Sequence, residues 1–205
     1  MSLRRYASDV FGWSRYQPER GYEFNGTALP SVDGTVLVVD PVPSDDEEVA
    51  ALRQLGQRFI IVLTTSDHER DAARLSKLLE APVHVCCNDA ASLRGVKAVE
   101  FRGGDVLPGG WVVHALTAMK TPGEVVLHHP LKRILVAGDA VINDPATGVR
   151  LVPHAKLPDR AGACASLSAV ARLDFDALYV GDGFVLPSGG RDALRKFLAR
   201  EGHPV

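Results

Sequence analysis

The chain has 205 residues, of which 46% are hydrophobic and 23% are charged. This length and composition are typical of a globular protein, so we predict a single domain over residues 1–205. The formal net charge is −2, and the basic residues are scattered along the sequence. These features give no electrostatic basis for binding nucleic acid or an anionic membrane, so we expect neither as a partner.

The sequence favours a soluble, cytoplasmic protein. Residues 1–7 lack the apolar stretch of a secretory signal, and no apolar run approaches the roughly 18 residues of a membrane helix. The cysteines, Cys86, Cys87 and Cys164, are odd in number and two are adjacent, which does not suit a disulfide framework. The oligomeric state, a homo-oligomer included, is left open.

Hydrophobic periodicity and turn residues predict the following elements in chain order. Residues 1–21 are predicted to form an irregular N-terminal arm. Strands are predicted over residues 22–29, 35–40, 59–63, 82–86, 96–101, 111–115, 124–128, 133–137 and 176–180. Helices are predicted from a Ser44 cap to about residue 55, then over 68–79, 161–173 and 191–200, with a long loop over 143–160.

This order of elements predicts a layered α/β or α+β domain. The strands between residues 96 and 137 follow one another without helices, so we expect them to be antiparallel. Three apolar runs end in carboxylate-bearing turns: residues 59–63 lead into a charged loop, residues 134–138 precede Asp139, and residues 177–181 precede Asp182. Strand ends are where layered α/β proteins bind ligands, so we predict one cleft there.

Five landmarks, in order, resemble the metallo-β-lactamase superfamily. Residues 35–40 resemble its early strand ending in Asp, and residues 60–64 resemble the strand before its His-x-His-x-Asp-His loop. Residues 120–124, Lys-Thr-Pro-Gly-Glu, resemble its His-Thr-Pro-Gly-Ser turn. Residues 134–140 resemble its strand ending in Gly-Asp, and residues 180–183 stand where it has Gly-His-Gly. The resemblance implies an αββα sandwich of two mixed sheets with outer helices.

The resemblance also implies a metal site, because the family binds one or two Zn²⁺ or Fe ions that activate a water. Asp139 takes the place of the metal-bridging Asp, Lys120 that of a His, and Asp182 that of the last His. The loop can be aligned in two registers, which the sequence alone leaves open. The motif falls on Thr65, Asp67, Glu69 and Arg70 without a gap, or on Ser66, His68, Arg70 and Asp71 after a slip of one residue.

Arg70 and Lys120 have no free lone pair at neutral pH, so neither can bind a metal. We therefore interpret the chain as a non-hydrolytic or weakly active protein without a cofactor. Its ligand-binding candidates are Arg70, Lys120 and Asp182, which would hold a small, anionic molecule. Its catalytic candidates are Asp67, His68, Asp71 and Asp139.

The alternative is a metal-dependent hydrolase of the ester or phosphodiester type. Its metal would be bound by His68, Asp139 and Asp182. This oxygen-rich set suits Mn²⁺ or Mg²⁺ better than Zn²⁺.

Overall fold

The computed structural model describes residues 3–157 and 159–205, and it shows two β-sheets packed face to face. The core between the sheets contains Val39 and Val62 of one sheet and Val113, Leu127 and Tyr179 of the other. Two further core clusters join the outer face of each sheet to helices. The predicted αββα sandwich is therefore confirmed.

Seven strands form the first sheet, in chain order. They are β1 (Arg4–Ala7), β2 (Val10–Gln17), β3 (Tyr22–Pro30), β4 (Thr35–Val39), β5 (Arg58–Leu63), β6 (Val83–Cys86) and β7 (Ala98–Phe101). Strands β1 to β4 are antiparallel, whereas β4 to β7 are parallel. The irregular arm predicted over residues 1–21 was wrong for its described part, because β2 pairs with β3 from Phe11 opposite Ala28 to Gln17 opposite Tyr22.

The remaining strands are β8 (Val106–Leu107), β9 (Trp111–Ala115), β10 (Val125–His129), β11 (Ile134–Gly138), β12 (Ile142–Asp144), β13 (Gly148–Arg150) and β14 (Ala177–Val180). The second sheet has the order β14-β11-β10-β9-β8, and only its β11–β14 pair is parallel. Two predictions were wrong. Strand β7 lies parallel to β6 in the first sheet. The predicted loop over 143–160 includes most of the β12–β13 hairpin.

Four α-helices cover the sheets: α1 (Asp46–Arg53), α2 (Ala72–Leu79), α3 (Arg160–Val170) and α4 (Gly190–Arg200). Leucines of α1 and α2 pack on the first sheet, and apolar side chains of α3 and α4 pack on the second. The cap of α1 is Asp45 rather than Ser44; its carboxylate accepts from the Glu48 amide in a capping box. None of these helices is long and apolar enough to span a bilayer, within the residues described.

Candidate functional site

The predicted cleft lies where strands of both sheets end. Asp40 follows β4, Asp139 follows β11 and Asp182 lies two residues beyond β14. The carboxyl ends of parallel strands meet at one edge, and both β4–β5 and β11–β14 are parallel pairs. All three carboxylates are buried, with relative exposures of 2%, 5% and 7%. Buried charges require partners, so the surrounding side chains decide the chemistry.

His68 is the central side chain of the site. It ends a 3₁₀ turn (Ser66–His68) after β5 and is 1% exposed. Its Nδ1 lies 3.1 Å from Asp40 Oδ2, and its Nε2 lies 3.4 Å from Asp139 Oδ1. Asp40 is fixed by the Thr64 amide (2.8 Å) and hydroxyl (2.6 Å), both of which donate to its carboxylate. Burial and Arg70 lower the pKa of His68, but the carboxylates of Asp40 and Asp139 outweigh them and raise it to about 9.

Lys120 connects two carboxylates. Its Nζ contacts Asp139 Oδ2 and lies 2.9 Å from Asp67 Oδ2. Burial lowers the pKa of Lys120, but the nearby Asp139 and Asp67 reverse this effect and hold it well above its ordinary value. Burial raises the pKa of Asp139, yet His68 and Lys120 together hold it well below its usual range. Asp139 is therefore ionised between two cationic groups.

Arg70 provides the second fixed positive charge. Its Nη2 lies 2.9 Å from Asp182 Oδ1 and 2.8 Å from His68 Nε2, and its guanidinium lies 4.5 Å from the centre of the Phe24 ring. The backbone of Arg70 has a φ of 30°, a conformation that is strained in a residue other than glycine. Burial and Asp139 raise the pKa of Asp182 to about 6, although Arg70 opposes the rise.

The contact between Arg70 and His68 conflicts with a protonated His68. A 2.8 Å hydrogen bond forms there only when Nε2 has no proton, since both groups would otherwise donate. The buried carboxylates of Asp40 and Asp139 favour the imidazolium, whereas the contact with Arg70 favours a neutral ring that accepts at Nε2. Because the two carboxylates raise the pKa of His68 to about 9 in spite of Arg70, the imidazolium is the favoured form at neutral pH.

Two glycines leave room for His68 and Thr64 where the strands pack closely. A Cβ on Gly181 would lie 2.6 Å from His68 Cε1, and a Cβ on Gly138 would lie 1.9 Å from Thr64 Oγ1. Both distances are far inside van der Waals contact. Glycine at these two strand ends is therefore a packing requirement of the site.

The six predicted residues that line one cavity of about 510 Å³ are Asp67, His68, Arg70, Lys120, Asp139 and Asp182. Asp71 is not among them; its carboxylate accepts from the Ser44 amide and hydroxyl and from Arg74. Glu69 also turns away, to the amides of Arg94 and Gly95. Neither register of the loop therefore brings all of its residues into the cleft.

Three buried acids of the site were not predicted as functional. Asp40 ends its strand as Asp139 does, and this shared pattern could have identified it. Asp89 accepts hydrogen bonds from the Ser66 amide, the Thr121 hydroxyl and the Gly123 amide at 2.7–2.8 Å. It thereby joins the loop of His68 to the turn that carries Lys120. Glu124, 1% exposed, has its pKa raised to about 7 by burial and by Asp139.

A metal could be held only by a small group of ligands here. Within the described ranges, one set of His68, Asp139 and Asp182 offers ligand atoms that lie within 4.8 Å of one another. Each of these atoms has a cationic neighbour: Lys120 is at Asp139, and Arg70 is at Asp182 and His68. A set with a single imidazole, bordered by an ammonium and a guanidinium group, does not fit a His-rich zinc or iron centre.

Solved structures share this fold. The DIM-1 metallo-beta-lactamase is 16% identical, with a TM-score of 0.75, covering 98% of this chain and 99% of that one. A metallo-beta-lactamase from Pontibacter korlensis is 15% identical, with a TM-score of 0.73 and coverages of 96% and 98%. The protein TTHA1623, solved in a di-iron-bound form, is 21% identical, with a TM-score of 0.64 and coverages of 87% and 94%.

A search of curated proteins gave no match. The family model described as the metallo-beta-lactamase superfamily matches residues 1–200. This match spans both sheets and every residue of the cleft. The chain belongs to the metallo-β-lactamase superfamily.

Proposed function

We propose that the cleft binds a small ligand without a resident metal, and that Lys120 and Arg70 supply the positive charge that a metal supplies in related hydrolases. The observation that carries this proposal is the position of the two cations. Lys120 Nζ contacts Asp139, the residue matched to the metal-bridging Asp, and Arg70 contacts Asp182, which is matched to the last His ligand. On this account the protein is non-hydrolytic or weakly active.

Charge compensation within the site supports the proposal. Lys120, Arg70 and a protonated His68 offset the charges of the three buried carboxylates, Asp40, Asp139 and Asp182, and the fourth, Asp67, is 54% exposed. A divalent ion at about 4 Å from either fixed cation would be repelled by about 8 kcal/mol at an effective dielectric constant of about 20. It would bind only after both side chains had left their buried partners, which is costly.

Hydrolysis assays test the proposal. We expect p-nitrophenyl acetate and bis(p-nitrophenyl) phosphate to be hydrolysed at background rates, with no increase on adding Mn²⁺ or Zn²⁺. We also expect the melting temperature to be unchanged by a chelator. Activity that rises with added metal and disappears in Asp139→Asn, but not in the exposed control Asp174→Asn, would refute the proposal.

The second candidate is a metal-dependent hydrolase. It is favoured by the compact group of His68, Asp139 and Asp182, and by Asp139 Oδ1, which is buried and makes no hydrogen bond to any described residue. In this case the three residues would hold Mn²⁺ or Mg²⁺, which would activate a water when bound. The assays above separate the two candidates, because only the second predicts activity that depends on metal.

A further inference from the structure

Two cations at the cleft have no acidic partner among the residues that the structure describes. Arg20, in the turn between β2 and β3, and Lys156, in the segment before α3, both line the 510 Å³ cavity and are exposed. Neither forms an ion pair within residues 3–157 and 159–205, in contrast to Lys120 and Arg70. Arg15 also lines the cavity, but its guanidinium forms two hydrogen bonds to the buried carboxylate of Glu48.

The wall beside these cations is apolar. It is formed by side chains from the β2–β3 hairpin, the loop after β4 and the segment around β12 and β13: Tyr22, Phe24, Val42, Ile142 and Val152. One face of the Phe24 ring is covered by Arg70. A cavity of this volume, with an apolar wall and a few polar groups, is of the size that binds small molecules.

We propose that the cleft binds a small amphipathic anion. Its apolar body lies against this wall, and its anionic group is bound by Arg20 and Lys156 at the mouth. This inference rests on the proposed function, since it takes Lys120 and Arg70 to be neutralised by their own carboxylates. It differs from the expectation that Lys120 and Arg70 themselves bind the anion.

The charge distribution explains this position. An anion placed at the floor would approach the carboxylates of Asp139 and Asp182, whose cationic partners are already engaged. At the mouth, Arg20 and Lys156 are exposed and have no ion-pair partner in the described part of the chain, so their charges are available to a ligand. Arg20 can bind a carboxylate or a phosphate with two parallel hydrogen bonds. Both head groups share this chemistry, so the experiment must compare them.

Titration calorimetry with three probes that share an octyl or octanoyl chain tests the proposal: octanoate, octyl phosphate and octan-1-ol. We expect at least one of the anions to bind at millimolar concentration or below, and about tenfold more tightly than the alcohol. The better anion identifies the head group. Replacing both cations, in Arg20→Gln/Lys156→Gln, should weaken anion binding about tenfold and leave octan-1-ol unaffected.

The control Lys77→Gln/Arg172→Gln removes the same charge from exposed positions outside the cavity and should bind as the wild type does. The proposal is overturned if neither anion binds, if octan-1-ol binds equally well, or if the two double variants behave alike. The metal content of each sample, measured in parallel, keeps the two proposals apart. If the wild type contains bound metal but still loses anion affinity in Arg20→Gln/Lys156→Gln, only the proposal of a metal-free cleft is contradicted.

Discussion

Replacing Lys120 by methionine should destabilise the protein because it leaves a buried carboxylate without its principal partner. Methionine keeps much of the apolar stem of lysine but removes the charge. In the wild type, the side chains of Lys120 and Asp139 are 13% and 6% exposed, whereas that of Asp67 is 54% exposed. The expected loss of stability therefore comes from leaving Asp139 without its partner, and not from the exposed Asp67.

The size of the effect follows from this burial. Removing one partner of a buried ion pair costs about 3–5 kcal/mol, whereas an exposed pair is worth less than about 1 kcal/mol. His68 Nε2 remains 3.4 Å from Asp139 and compensates part of its charge. We therefore expect Lys120→Met to lower the free energy of unfolding by about 3 kcal/mol at pH 7.

Urea denaturation of a double-mutant cycle measures this pair directly. Asp139→Asn should remove most of the penalty of Lys120→Met, which gives a coupling energy of about 2 kcal/mol or more. The surface pair of Lys132 and Asp9, with side chains 29% and 30% exposed, provides a matched cycle that should give less than about 1 kcal/mol. Additive effects of the Lys120 and Asp139 changes would show that the two side chains are not energetically coupled.

Three further predictions concern the surroundings of the cleft. Gly181→Ala should destabilise the protein by about 2 kcal/mol in urea, because its methyl group would overlap His68; an unchanged midpoint would contradict the packing argument. Asp89→Asn should lower the free energy of unfolding by about 2 kcal/mol in the same assay, because the NH₂ group of asparagine would face groups that donate hydrogen bonds to the carboxylate. Wild-type stability of this variant would show that the hydrogen bonds of Asp89 are dispensable. The pKa of His68 is raised from 6.5 to about 9, so its contribution to stability is complete below pH 6.5 and is lost as the pH rises through 9. The unfolding free energy of the wild type should fall over this range relative to His68→Gln, and parallel pH profiles would show that His68 is not charged in the fold.

Features that depend on local sequence were predictable. An apolar run that ends in Gly-Asp marks a strand reaching the edge of a sheet, and this pattern placed Asp139 and Asp182 in one cleft. Lys120 was identified by the resemblance of its Lys-Thr-Pro-Gly turn to the His-Thr-Pro-Gly turn of the family. Each of these signals lies within a few residues of the side chain that it predicts.

Features that depend on distant packing were not predictable. Strand β2 has polar residues and Gly12 among its aromatic residues, and it is recognisable only from its pairing with β3. Strand β7 returns to the first sheet because it pairs with β6, and nothing in its own residues requires this. His68 stands between Asp67 and Glu69 in a charged loop, which suggests exposure. Its burial follows from the approach of Gly181 and the carboxylates of both sheets.

We propose that the side chains of Lys120 and Arg70 occupy the place of a metal ion. Inductively coupled plasma mass spectrometry tests this on protein produced with added zinc and purified without chelator, with Lys120→His/Arg70→His prepared alongside. We expect stoichiometric metal only in the double variant, where two new imidazoles join His68, Asp139 and Asp182. Stoichiometric zinc, iron or manganese in the wild type would contradict the proposal.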